Sequence, residues 1–460
     1  MGRRAWIRPD VCFVAFASLL GMACLVLTPP FQVADEPNHF FRIVQIAQGG
    51  IVGERRGAES GGEIPVALVS MAGHFIDGNM ASGEVRWERS RWANVRPYLQ
   101  QRADLTATRF QDFRAMTRYA PVAYLPQLVG IWFAEALNLP PLWLVYIGRF
   151  CALVFFIWLV YRAIRATPIC PWGFAVLALL PAVMFQAASL SADSATTALL
   201  FFFVAQVFRL AFAAPSATRR ETILLVFLGV LIGLCKSVYV LATGLVFLIP
   251  ASKFGGRRNW GWVCAAVVAG ALLAAAAWTA WMKSAYVPSF GDVDEWAQLS
   301  LMVRHPMRFL DMLVGRVLRS VGYLYLGGGL GLCHEFVGLL GWYAACVNIG
   351  QTSFAVLFWC AIAEKNDRVE IRGWHRWLTG IVLASQVLGI AAANYVTWCP
   401  PGWPALALFG RYFHPIAPAA FLLLHNRSFR PQAAEKWRAC IPVYFLGVVF
   451  ATAYVLVHTY

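Results

Sequence analysis

Apolar blocks of about 20 residues, separated by short polar stretches, repeat along the whole chain. An α-helix rises about 1.5 Å per residue, so a block of about 20 apolar residues is long enough to cross a hydrocarbon core of about 30 Å. The pattern therefore predicts an all-α polytopic membrane protein with about 11 transmembrane helices. The predicted spans are 11–28, 142–163, 171–188, 193–213, 222–236, 237–251, 261–282, 343–363, 377–397, 405–425 and 439–459.

The spacing of these blocks predicts one integral membrane domain over 1–460, interrupted by two long polar segments. The segments are 29–141, after the first span, and 283–342, between a group of six spans and a final group of four. Composition agrees, because 60% of the 460 residues are apolar and only 13% are charged. Soluble domains carry about a quarter of charged residues, so a water-soluble protein is excluded.

The stretch 119–139 is apolar and long enough to span, but it contains Pro121, Pro126, Gln127 and Glu135. The positive-inside rule decides its topology, because one additional span would invert every later loop. If the stretch does not cross, nearly all basic loop residues fall on the cytoplasmic side. These residues are Arg3, Arg4, Arg8, Arg162, Arg165, Arg219, Arg220, Lys253, Arg257, Arg258, Lys365, Arg368, Arg372, Arg376, Arg427, Arg430, Lys436 and Arg438.

We therefore expect 119–139 to be an interfacial or re-entrant helix, with the N-terminus in the cytoplasm and the C-terminus outside. Both long segments then lie outside. The net charge of +15 is distributed in clusters that suit an anionic lipid surface, so no nucleic-acid partner is predicted. The 11 cysteines include no Cys-x-x-Cys pair and are expected to be small core residues. The basic amphipathic stretch 302–325 is expected to lie in the lipid headgroup plane.

Two adjacent carboxylates, Asp35 and Glu36, follow the first span and precede Pro37. Pro37 can begin a helix, on which His39 and Arg42 recur at three-residue spacing and share a face. Two interpretations remain open for the carboxylates. They either cap this helix, or they act as a general base or metal ligand at the membrane surface.

Further polar residues fall at the predicted outer ends of spans. Asp193 lies in a turn between two spans, where it either caps the next helix or joins the carboxylates. Lys236 separates two apolar runs, and Arg411, followed by Tyr412, lies about one turn inside a span. Cations at such depth need an anionic partner, either a structural one or a ligand. Because guanidinium binds phosphate through two hydrogen bonds, this set suits a membrane-anchored phosphate donor and a hydroxyl acceptor.

Four stretches resemble the bacterial membrane family called domain of unknown function "twenty-one forty-two". They are Pro30-Phe31-Gln32 with Asp35-Glu36-Pro37 and His39-Phe40, Tyr119-Ala120-Pro121 with Tyr124-Leu125-Pro126-Gln127, Phe185 to Asp193, and Gly410-Arg411-Tyr412-Phe413 with Pro415. This family is grouped with the GT-C membrane glycosyltransferases, which use polyprenyl-phosphate sugars and carry a catalytic acidic motif in the first outer loop. The resemblance implies a GT-C-like fold in the bacterial inner membrane, with juxtamembrane helices in that loop and Asp35 and Glu36 at the acidic motif.

The leading hypothesis is a glycosyltransferase that moves a sugar from a polyprenyl-phosphate carrier to an envelope glycan, lipid or protein. Asp35, Glu36 and Asp193 are the predicted catalytic residues, and the predicted substrate-binding residues are Arg411, Lys236, His39, Arg42 and Tyr412. The sequence requires no cofactor; if a divalent ion such as Mg²⁺ or Mn²⁺ binds, Asp35 and Glu36 are its candidate ligands. The alternatives are a flippase for lipid-linked sugars or another transporter, and a non-catalytic envelope assembly protein.

Overall fold

A computed structural model describes residues 8–76, 92–326, 331–341, 344–364, 366, 369–425 and 434–460. The predicted cytoplasmic residues Arg3, Arg4, Lys365, Arg368, Arg427 and Arg430 lie outside these ranges. The chain is mainly helical, and its eleven cysteines include eight that are buried, as small core residues would be.

Within the described ranges, six helices are long and apolar enough to cross a membrane. They are α1 (Pro9–Leu27), α6 (Leu142–Ala166), α9 (Asp193–Phe212), α11 (Arg257–Met282), α16 (Gly373–Trp398) and α18 (Ala434–Thr459). The structure thus supports a polytopic membrane protein, but the predicted count of about 11 spans is not confirmed.

The other five predicted spans are shorter or interrupted helices: α10 and α15 are continuous but only 17 residues long, and prolines or turns break the others. Residues 171–188 form two helices separated just before Pro181, and Pro415 lies within a 3₁₀ helix. In order, the elements are α7 (Pro171–Ala178), α8 (Pro181–Ala187), α10 (Arg219–Cys235), 3₁₀ helices Ser237–Leu248 and Ala251–Phe254, α15 (Val347–Ala363), the 3₁₀ helix Gly410–Ile416 and α17 (Ala417–Leu424). Hydropathy detects such runs but does not detect the breaks inside them.

The first long segment contains a small antiparallel sheet, which corrects the all-α prediction. Its central strand pairs Gly61 with Asp112 on one side and Glu54 on the other. Such short, largely polar strands leave no hydropathy signal. The elements of this segment are α2 (Glu36–Ala47), β1 (Glu54–Arg56), β2 (Glu59–Pro65), α3 (Val66–Phe75), α4 (Trp92–Val95), 3₁₀ helices Arg96–Leu99 and Pro121–Tyr124, β3 (Thr108–Asp112) and α5 (Leu125–Ala136).

Helix α5 lies within the stretch 119–139, whose topology the sequence left to charge bias. Its 12 residues extend about 18 Å, less than the thickness of the bilayer core, and the interfacial or re-entrant placement stays a prediction. The second long segment contains α12 (Glu295–Arg304), α13 (Pro306–Leu326), α14 (Leu332–Gly338) and, at its start, the 3₁₀ helix Lys283–Ala285. It contacts the first segment, since Ser60 donates a hydrogen bond to the carbonyl of Ala285. Strands β4 (Leu339–Leu340) and β5 (Ala344–Ala345) follow it.

The centre of the bundle is formed by α7, α8 and α9. The most apolar part of α9 is 89% buried, whereas the corresponding parts of α11, α16 and α18 are only 28% buried and face outward. Interrupted helices are tolerated in a membrane protein where other helices bury their free backbone groups. The break that ends α8 and begins α9 therefore lies inside protein, next to the start of α2 and the 3₁₀ helix Gly410–Ile416.

Candidate functional site

Two ion pairs lie together where these elements meet. Arg411 Nη2 lies 3.2 Å from Asp35 Oδ2, and Lys236 Nζ lies 3.0 Å from Asp193 Oδ1. The four side chains are about one-fifth exposed, so they are shielded from bulk solvent but reachable. Asp193 also interacts electrostatically with Arg411, so the two pairs form one cluster of alternating charge. The structure thus brings together residues that are up to 376 positions apart in sequence.

Neither carboxylate caps a helix. Asp35 precedes α2 at the N-cap position, but its side chain makes no capping hydrogen bond. At the start of α9 the backbone N–H of Asp193 donates to Ser191 Oγ, and the Asp193 carboxylate accepts from Lys236. The capping interpretation therefore does not account for either residue, and both carboxylates are left to interact with cations.

The backbone of Asp35 is strained. Its φ of 63° and ψ of 3° lie in the left-handed region, where a residue with a Cβ costs about 1–2 kcal/mol. Phe31, four residues earlier, has a φ of 65°. Strained residues of this kind concentrate at functional sites, where surrounding contacts hold them in place.

A buried ion pair between Arg149 and Glu36 holds this strained turn. Both side chains have no exposed surface, and Arg149 Nε donates to Glu36 Oε1 at 2.8 Å while Nη2 contacts Oε2. Arg149 also donates to the carbonyls of Thr28 and Pro29. Glu36 Oε1 accepts the N–H of Leu190, so the pair joins the turn before α2 to the loop before α9.

Arg149 was not predicted as a site residue, although the sequence carries a signal for it. Arg149 lies inside a predicted span, and an arginine at such depth needs a partner, as was argued for Arg411. In this arrangement both oxygens of Glu36 are engaged and fully buried, which favours Asp35 over Glu36 as the general base.

The carboxylates do not form a divalent-metal site. Glu36 is bonded to Arg149, Asp35 to Arg411 and Asp193 to Lys236, so each candidate ligand already faces a cation. Within the ranges that the structure describes, no three His, Cys, Asp or Glu side chains converge as a metal ion would need. The Mg²⁺ or Mn²⁺ site considered from the sequence therefore does not fit these residues.

Three tyrosine rings surround the ammonium group of Lys236. Lys236 Nζ lies 4.6 Å from the ring centre of Tyr412, 5.7 Å from that of Tyr119 and 5.9 Å from that of Tyr239. Such cation–π contacts stabilise a partly desolvated ammonium group. The Tyr239 hydroxyl donates to the carbonyl of Tyr412, which fixes the position of this segment. Tyr412 therefore acts on Lys236 through its ring.

A small cavity of about 10 Å³, room for about one water molecule, adjoins the two ion pairs. Two buried polar atoms in its lining, Gln186 Oε1 and Arg411 Nε, have no hydrogen-bond partner among the described residues. Buried polar atoms are rarely left unpaired, so these two indicate a bound ligand or water. Gln186 and His414 were not predicted as site residues, although both lie in stretches that carry the family resemblance. The lining is Phe156, Val183, Gln186, Ala187, Asp193, Ser194, Thr197, Arg411 and His414.

Arg42 supports the fold. Its side chain is fully buried, and its guanidinium donates to Gln45 Oε1 and to the carbonyls of Gly50, Ile51 and Tyr119. Burial lowers the pKa of Arg42 to about 10. These hydrogen bonds tie the end of α2 to the chain around it, and the predicted role of Arg42 in substrate binding stays a prediction.

His39 is on α2 and lies close to the two ion pairs. Its Nδ1 is hydrogen-bonded to the Tyr124 hydroxyl at 2.7 Å, and its Nε2 lies 3.5 Å from Ser191 Oγ. Burial lowers the pKa of His39 to about 4, outweighing the opposite effect of Asp35 and Asp193. His39 is therefore a neutral imidazole at physiological pH and does not add a third cation to the cluster.

The shifted pKa of His39 predicts a loss of stability in acid. The unfolded chain takes up a proton near pH 6.5, whereas the folded protein does so only near pH 4. The stabilisation from neutral His39 is thus complete above about pH 6.5 and falls by up to about 3 kcal/mol as the pH approaches 4. Between pH 4 and 6.5, the unfolding midpoint of H39Q should therefore depend much less on pH than that of the wild type. The matched variant at an exposed histidine, H305Q, should keep the wild-type dependence.

Comparison with known proteins identifies one family that this chain matches. The family described as "Predicted membrane protein (DUF2142)" matches residues 18–420, which includes every residue of the two ion pairs. No curated protein and no solved structure matches the chain.

Proposed function

The chain belongs to the DUF2142 family of predicted membrane proteins, and from its site we propose that it is a membrane glycosyltransferase. It would move a sugar from a polyprenyl-phosphate carrier to a hydroxyl group of an envelope glycan, lipid or protein. The observation that carries the proposal is Asp35, a strained carboxylate that caps nothing and faces Arg411 beside a cavity with unpaired polar atoms. The donor class comes from the resemblance to GT-C enzymes, which is an analogy at the level of fold.

The alternating ion pairs suit a reaction in which negative charge moves from one group to another. A phosphodiester bound at the site would take Arg411 and Lys236 as its partners, because phosphate binds such cations strongly. That exchange would release the Asp35 carboxylate from Arg411. Asp35 would then be free to accept a hydrogen bond from the acceptor hydroxyl.

In the proposed step the acceptor oxygen bonds to the anomeric carbon of the sugar, and the bond from that carbon to the phosphate oxygen breaks. Asp35 takes the acceptor proton, and the phosphate leaves with the electron pair of the broken bond. The leaving phosphate gains one negative charge, which Arg411 and Lys236 stabilise. Asp193 keeps Lys236 in place and is not required to take a proton. No step uses a metal ion.

This proposal places the two long segments on the non-cytoplasmic side of the bacterial inner membrane, with the N-terminus in the cytoplasm. The support is the distribution of basic loop residues and the contact between the two segments, which requires that they share one side. A lipid-linked donor and an extracytoplasmic acceptor could then meet at the partly exposed ion pairs without any nucleotide.

Removing the cation at position 411 tests the proposal. We expect R411Q to lower the transfer of sugar by more than tenfold and to raise KM for the polyprenyl-phosphate donor, because the leaving phosphate loses a charged hydrogen-bond donor. R411K should retain part of the activity. The assay measures the transfer of labelled sugar from the carrier to the acceptor by purified protein reconstituted in vesicles. The control is R109Q, at an exposed arginine in β3.

The same vesicles separate the alternatives. A flippase would carry labelled lipid across the bilayer without releasing free polyprenyl phosphate. An assembly protein would bind its partners equally well with R411Q. Release of polyprenyl phosphate at the wild-type rate by R411Q, with unchanged KM, would contradict the assignment of Arg411 to the donor phosphate.

A further inference from the structure

Helix α13 exposes a continuous apolar stripe. At 100° per residue, six apolar side chains fall on one side of this helix, and they are between 37% and 72% exposed. The adjacent face packs inward through Phe309 and Leu313, each 7% exposed. The stripe is formed by Met307, Leu310, Val314, Val317, Leu318 and Val321.

Exposed arginines flank this stripe. Arg308 and Arg319 lie on α13, beyond the edge of the stripe that is farther from the protein interior. Arg304 is the last residue of the preceding helix, α12. Asp311 is the one acidic side chain on α13. Four charged residues within 21 make α13 unsuitable as a span, and it is not among the six helices that qualify.

We infer that α13 lies in the membrane–water interface and binds anionic phospholipid. The apolar stripe enters the acyl-chain boundary, and Arg304, Arg308 and Arg319 contact the headgroup phosphates. Charge complementarity selects this occupant, because a helix with an apolar face beside a basic face is attracted to anionic lipid surfaces. The sequence predicted only the location of this stretch, whereas the structure identifies which side chains are exposed toward lipid; Arg308 is exposed and also donates to the carbonyl of Gly402 at 3.1 Å.

The inward side of α13 connects this lipid surface to the candidate site. Arg316 donates to Glu335 Oε1 at 3.3 Å and to the carbonyl of Leu408 at 3.2 Å, and Glu335 Oε2 accepts the N–H of Gly410 at 2.7 Å. A Cβ at Gly410 would lie 2.3 Å from the Leu332 carbonyl oxygen, so this segment is packed tightly against α14. Lipid bound to α13 would thereby hold the segment that contains Arg411 in place. The importance of this for sugar transfer rests on the proposed function, whereas the lipid binding itself does not.

Photo-crosslinking tests the binding. Wild-type protein is reconstituted with photoreactive phosphatidylglycerol or photoreactive phosphatidylcholine at equal density, and the labelled peptides are mapped. We expect residues 303–321 to be labelled several-fold more by the anionic lipid. The triple variant R304Q/R308Q/R319Q should bring the ratio close to one, while millimolar inorganic phosphate should leave the wild-type ratio unchanged.

A matched triple variant in the first segment, R55Q/R102Q/R109Q, removes the same charge from other exposed arginines and should keep the wild-type ratio. Equal labelling by the two lipids, or labelling that spares 303–321, would overturn the inference. Loss of the preference in phosphate would assign the arginines to free phosphate and would also overturn it. Because no sugar is transferred in this experiment, its failure leaves the proposed function untouched.

Discussion

The variant D35N is expected to lose sugar transfer by about 10²–10⁴-fold while remaining folded, because general-base catalysis contributes about that much. Asparagine tolerates the left-handed backbone of Asp35 and keeps its size, but it cannot take the acceptor proton. The loss should appear in kcat more than in the donor KM, since Arg411 and Lys236 remain. Single-turnover transfer in vesicles measures it, with D292N at an exposed aspartate as the control.

Two more variants separate the carboxylate of Asp35 from its backbone. D35G and D35A both remove the carboxylate, so both should be inactive. Only glycine relieves the φ of 63°, and D35G should therefore be about 1 kcal/mol more stable than D35A. Transfer by D35N at more than a tenth of the wild-type rate would show that another group takes the proton.

Breaking the buried pair of Arg149 and Glu36 is expected to give the largest loss of stability. E36Q or R149M alone should lower the free energy of unfolding by about 3–5 kcal/mol, because each leaves one partner uncompensated inside the protein. The double variant E36L/R149M removes both charges and should be more stable than the sum of the single losses predicts. Unfolding followed in detergent by tryptophan fluorescence provides the comparison.

The exposed pair of Arg56 and Glu54 is the matched control for this measurement. Both side chains are more than half exposed, and R56Q should change stability by less than about 1 kcal/mol. If E36Q cost no more than R56Q, the buried pair would not be what holds the strained turn. A double variant that loses as much stability as the two single variants together would lead to the same conclusion.

Hydropathy and charge predicted that this is a membrane protein and how long its main spans are. They could do so because a helix in lipid needs a long apolar run, which is visible in the sequence itself. They did not predict the break before Pro181 or the 3₁₀ helix Ser237–Leu248, and so the count of about 11 spans was not confirmed. The sheet was also missed. Interrupted helices depend on neighbours that satisfy free backbone groups, and those neighbours are distant in sequence.

The candidate site shows the same division between local and distant information. That Asp35, Asp193, Lys236 and Arg411 required partners followed from their type and depth. Which cation meets which carboxylate did not follow, and neither did the burial of Glu36 against Arg149. Local sequence made Asp35 and Glu36 equivalent neighbours, yet one is reachable and the other is fully enclosed.

The sequence by itself determined that this protein folds in a membrane and which charged residues need a partner there. The reason is that the length of an apolar run and its charges are properties of each segment alone. Only the tertiary structure decided which carboxylate supports the fold and which one meets Arg411 in the partly exposed cluster. The reason is electrostatic: a buried charge is stabilised by the particular opposite charge placed next to it, and that placement is set by the packing of the whole bundle.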